Sequence, residues 1–105
     1  FPFQRAPILE VDGVTIADSQ AIARFLARRH GLYADDVFDQ ARIDMITATV
    51  QDMYQKLNDI WEAEENKKQE LMEKCYTNIF PVYLQGLECV LKENNGGNGF
   101  FCWRK

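Results

Sequence analysis

Asp18 and Ser19 stand immediately ahead of the apolar-patterned stretch Gln20-Ala21-Ile22-Ala23-Arg24-Phe25-Leu26. A helix start offers unpaired N–H groups and the positive end of a dipole, so with a serine hydroxyl beside them it binds a carboxylate. A neighbouring aspartate binds an ammonium. Together the two groups match the head of an amino acid. By themselves they also have a plainer role, in which Ser19 caps the helix and Asp18 complements its dipole. Upstream, Ala6-Pro7 is a candidate cis bond that turns the Ala6 backbone outward. There its N–H and C=O pair with an extended peptide as an added strand does. An amino-acid head and a peptide body describe a short peptide ligand.

The elements that must position these groups follow from patterning. Ile8-Leu9-Glu10-Val11 and Val14-Thr15-Ile16-Ala17 are strands joined by Asp12-Gly13, a dipeptide favoured in two-residue hairpins. Ser19 opens a helix through about Arg29, with Ile22, Phe25 and Leu26 on one face and Gly31 as its stop. Either Asp35 or Asp36 caps the next helix, whose stripe runs Ile43, Ile46, Val50, Met53, Leu57, Ile60. The segment Glu62 to Glu70 loses that stripe and reads as a break. Periodicity resumes from Leu71 to Leu91, with Pro81 inside it expected to kink the helix. Asn94-Asn95-Gly96-Gly97-Asn98-Gly99 ends it. The organisation is α+β: a small piece over residues 1–32, then an antiparallel pair of long helices over residues 33–105.

With 105 residues, there is room for one small domain or parts of two. A formal net charge of −4 disfavours a nucleic-acid partner. No apolar run approaches the length of a membrane span, and no signal peptide is visible. Cys75, Cys89 and Cys102 have no close pairing, and His30 is the single histidine, so no zinc-ligand spacing exists. Cys75 and Cys89 are expected to be buried small hydrophobes, and three unpaired cysteines suit a reducing cytosol. Trp61 is expected in a core or interface.

The stretch Pro2-Phe3-Gln4-Arg5-Ala6-Pro7 through the LEVDG hairpin and the QAIARFLA helix to Leu32 resembles the glutathione transferases. The likeness is strongest to the sigma class, which includes prostaglandin D synthases and lens S-crystallins, and extends more loosely to about Phe101. The resemblance implies a thioredoxin-like glutathione-binding domain followed by an all-α domain that forms the site for a small hydrophobic electrophile. It also implies a cytoplasmic homodimer, with glutathione as co-substrate and no metal. Pro7 matches the family's cis-proline, and Ala6 the residue whose backbone pairs with the cysteinyl part of glutathione. Arg5 stands where Gln or Lys is common, a cation facing the glycyl carboxylate. Asp18 and Ser19 match the pair that grips the γ-glutamyl end. Asp52 matches an acidic residue that reaches across the dimer to the ligand's amino group. Helix spacing alone offers Asp52 a different role, an exposed ion pair with Lys56.

In the family the catalytic Tyr lies near the start of a first strand that would fall upstream of Phe1. It holds the glutathione thiolate and makes the sulfur a nucleophile at neutral pH. None of Tyr33, Tyr54, Tyr76 and Tyr83 matches that position. The resemblance therefore implies an internal fragment without transferase activity of its own. Two roles stay open for the whole protein. One is an enzyme, either conjugating glutathione to electrophiles or isomerising a lipid peroxide. The other is a structural protein of S-crystallin type.

Overall fold

The computed structural model describes residues 6–102. Strand β1 (Ile8–Val11) and strand β2 (Val14–Ala17) form an antiparallel two-stranded sheet, in register Ile8↔Ala17 through Val11↔Val14. Asp12 (φ 51°) and Gly13 (φ 78°) both take the left-handed conformation that a tight primed turn needs, as the Asp-Gly dipeptide predicts. Helix α1 (Ser19–Arg29) follows and packs on the hairpin, with Ile22 and Phe25 half-buried.

Two hydrogen bonds close the end of α1. Leu32 N–H donates to the Ala27 carbonyl at 2.8 Å, and Gly31 N–H to that of Arg28 at 3.5 Å. This is the glycine-terminated arrangement expected at Gly31, whose φ is +67°. A Cβ at Gly31 would meet nothing within 4 Å, so only backbone conformation opposes a side chain there. Gly31→Ala is therefore expected to cost about 1 kcal/mol through the left-handed penalty alone. Urea unfolding followed by circular dichroism checks this, and an unchanged midpoint would overturn it.

Helix α2 (Val37–Trp61) is capped by Asp36, whose Oδ2 accepts from the N–H groups of Phe38 at 2.9 Å and Asp39 at 3.1 Å. Contacts divide the chain into two compact units, Phe1–Gln40 and Ala41–Lys105, so the boundary falls inside the first turns of α2. In the second unit, Arg42 near the start of α2 reaches the end of the returning helix. Its Nη2 donates to the Val90 carbonyl at 3.1 Å and to Glu93 Oε2 at 2.8 Å. The two long helices are thus antiparallel, as their patterning predicts.

The expected break over Glu62 to Glu70 is much shorter. Helix α3 (Glu65–Lys74) starts at once after a turn at residues 62–64. Its first half has no apolar stripe, yet it consists of good helix formers, and Glu65–Lys68 pairs at 3.1 Å one turn apart. From Cys75 to Ile79 the helix widens into a π turn before α4 (Phe80–Glu93). Pro81 then falls in the first turn of α4, where its missing N–H is no loss. The residue expected to kink the helix is thus absorbed by this widening.

Ile60, Cys75 and Phe80 are buried together, with Met53, Leu57, Met72 and Ile79 packed around them. Tyr76 meets Phe80 edge-on, ring centroids 5.4 Å apart. Cys75 is 1% exposed, as expected. Cys89 is exposed instead, because it lies two and a half turns beyond Phe80 and so on the opposite face of α4. Trp61 is 58% exposed rather than core, since its neighbour Ile60 takes the inward position.

Candidate functional site

The ladder that sets the hairpin also sets the site. Pairing Ile8 with Ala17 brings the chain entering β1, Ala6-Pro7, and the chain leaving β2, Asp18-Ser19, to the same end of the sheet. That end lies opposite the Asp12-Gly13 turn. The Ala6–Pro7 peptide bond is cis, and both residues are exposed.

Asp18, rather than Ser19, is the helix cap. Its Oδ2 accepts from the backbone N–H of Gln20 and of Ala21, each at 3.1 Å. The reason is geometric: a cap precedes the first helical residue, and Ser19 already has helical conformation. Ser19 is exposed, and among the described residues neither its hydroxyl nor its backbone N–H makes a hydrogen bond. Those two donors sit at the positive end of α1, the arrangement that receives a carboxylate.

Asp18 holds its position at a conformational cost. Its φ of 79° and ψ of 125° lie outside the regions a non-glycine residue normally visits, a departure of order 1–3 kcal/mol that persists only where surroundings enforce it. Here the two cap bonds and the exit from β2 enforce it. Strain concentrated at a charged residue beside a pair of open donors is a feature of ligand sites.

Arg5 lies outside the described residues. Asp52 belongs to the helical unit and is exposed on α2. Its anticipated ion pair with Lys56 does not form, since the Lys56 ammonium lies over the Tyr83 ring, 6.0 Å from its centroid. Among the described residues no cluster of His, Cys, Asp and Glu of metal-binding size occurs.

The helical unit adds a feature that sequence patterning misplaced. Ile60, Trp61, Met72 and Tyr76, with Glu65 and Lys68, line an open groove of about 600 Å³. The signal that locates it is the spacing of Lys68, Met72 and Tyr76, which places all three on one side of a single helix.

A hairpin entered through a cis-proline, a capped helix with an open serine at its start, and long helices after it are the arrangement that the resemblance to glutathione transferases implies. No protein-family model matches the chain. It is 34% identical over 96 residues to a glutathione S-transferase of Anopheles gambiae, an alignment covering 90% of this chain and 47% of the relative. It is 40% identical over 90 residues to the hematopoietic prostaglandin D synthase of Gallus gallus, covering 86% of this chain and 45% of that one. The solved structure of prostaglandin synthase D of Nilaparvata lugens matches with a TM-score of 0.82 at 28% identity, over 95% of this chain and 53% of that one. The chain is a glutathione S-transferase-like region that spans about half the length of the curated relatives it matches.

Proposed function

We propose that this region serves a glutathione transferase, which joins the thiol of glutathione to electrophilic substrates. One observation carries the reading: the exposed Ala6-Pro7 segment and the Asp18-Ser19 helix start share one end of the hairpin. Residues 1–32 are then the later part of a thioredoxin-like glutathione-binding domain, and residues 33–105 part of an all-α domain. Ser19 receives the γ-glutamyl carboxylate through its hydroxyl and N–H, Asp18 faces the ammonium, and the Ala6 backbone pairs with the cysteinyl unit. Arg5 faces the glycyl carboxylate.

Calorimetric titration of glutathione into a chain extended to the relatives' full length tests the reading. Saturable binding to one site per chain is expected, and none would overturn it. In this reading the residue that activates the thiol is the family's first-strand Tyr, so the 105 residues alone have no conjugating activity. A chloronitrobenzene assay checks that, with turnover above the uncatalysed rate contradicting it.

The working form in this reading is a cytoplasmic homodimer in which Asp52 reaches the ligand's amino group in the neighbouring subunit. Asp52→Asn is then expected to weaken glutathione binding roughly two- to fivefold, the worth of an exposed charge pair, with dimerisation intact. Fluorescence titration alongside sedimentation measures both, and equal affinity would leave Asp52 a solvated helix charge. Two prostaglandin D synthases among the similar proteins favour a second reading, isomerisation of a lipid peroxide. Product analysis with a prostaglandin endoperoxide separates it from conjugation.

A further inference from the structure

Two Asn-Gly pairs, Asn95-Gly96 and Asn98-Gly99, follow α4, and the fold treats them differently. Asparagine before glycine is a thermally labile sequence because the following residue has no Cβ to shield its nitrogen. Asn95 is held. Its Nδ2 donates to the Asn98 carbonyl at 2.9 Å, which turns the carboxamide toward Asn98 and away from the Gly96 nitrogen. Its own carbonyl accepts from Asn98 N–H, and Gly97 N–H donates to the Asn94 carbonyl, both at 3.1 Å, so the turn around Asn95 is fixed at both ends.

The Asn98 carboxamide is open by contrast. Both Asn98 and Gly99 are exposed. Among the described residues neither the Asn98 carboxamide nor the Gly99 N–H makes a hydrogen bond. Gly99 has φ +123°, and the space where a Cβ would stand is empty to 4 Å.

We propose that Asn98 is a self-modification site, at which the chain deamidates through a cyclic imide ahead of Asn95. The Gly99 nitrogen gives its proton to solvent base and attacks Asn98 Cγ. A new C–N bond forms, the Cγ–Nδ2 bond breaks, and the side-chain nitrogen takes up a proton and leaves as ammonia. Water then opens the imide at either carbonyl, leaving aspartate or, with the backbone routed through Cγ, isoaspartate. Either product adds a negative charge. Isoaspartate also lengthens the main chain ahead of Phe100, whose carbonyl accepts from Asn94 Nδ2 at 2.6 Å, and so loosens the link from this segment to the end of α4.

The test is incubation of the whole chain at mildly alkaline pH, followed by trypsin and fragment-resolved mass spectrometry of peptide 93–104. A synthetic peptide of the same sequence runs alongside. In the peptide the two Asn-Gly pairs should convert at comparable rates, and in the folded chain Asn98 should lead by about tenfold, the loss expected from one held carboxamide. Gly99→Ala should slow conversion at Asn98 and leave Asn95 unchanged. Asn95→Ala, which removes the Asn95 side chain, should leave Asn98 reactive. Equal rates at the two positions in the folded chain, or Asn95 leading, would overturn the proposal.

Discussion

Phe80→Ala is expected to lower the stability of the helical unit by about 3–5 kcal/mol, the range for removing a buried aromatic ring and leaving a cavity. Three features place it at the upper end. Phe80 is one of three buried hydrophobic residues among the described ones, its ring meets Tyr76 edge-on, and it sits at the join of the π turn with α4. Net stabilities of small domains are about 5–15 kcal/mol, so this one change removes much of what holds the helices together. The control is Val82→Ala on the same helix, where the side chain is 68% exposed and the expected change is within about 0.5 kcal/mol. Urea titrations of both variants by circular dichroism give the comparison. A Phe80→Ala midpoint close to that of the parent would mean the core lies elsewhere.

Ser19→Ala is expected to weaken glutathione binding about tenfold or more, since a hydrogen bond to a charged group is worth roughly 1.5–3 kcal/mol. Because Asp18 rather than Ser19 holds the Gln20 and Ala21 N–H groups, the substitution leaves α1 intact, and unfolding should be unchanged. Asp18→Asn separates the two duties of its side chain. Asparagine caps a helix as well as aspartate does, so stability should hold while the lost charge reduces affinity. Asp18→Ala loses both, with a further cost of about 1 kcal/mol in stability. Calorimetry on the three variants in a chain of the relatives' full length distinguishes these outcomes. Unchanged affinity in Ser19→Ala and Asp18→Asn would remove this helix start from the binding site.

Local chemistry was legible wherever a short stretch decides its own structure. Asp12-Gly13 dictates the hairpin turn, Gly31 the end of α1, the Asp35-Asp36 pair a cap, and the stripe from Ile43 to Ile60 a long helix. Ala6-Pro7 and Asp18-Ser19 were visible as candidate ligand groups for the same reason, because their chemistry lies in adjacent residues. What patterning misjudged depends on groups distant in sequence or on competition between neighbours. The helix from Glu65 has no apolar stripe to announce it, being carried by propensity and Glu–Lys pairs on a solvated turn. Asp18 and Ser19 compete for one cap, and the backbone leaving β2 decides for Asp18. Cys89 looks apolar in the sequence, but packing against a partner helix accepts only one side of each turn.

The sequence by itself therefore determined the element order, the turn chemistry and the residue types that suit an amino-acid head, because these depend on contacts within a few positions. Tertiary structure alone decided which of those residues meet. The Ile8↔Ala17 register carries Pro7 to Asp18, and the antiparallel return of α3 and α4 buries Cys75 and Phe80 against Ile60. Pairing and burial join positions far apart in the chain, and no local pattern encodes that distance.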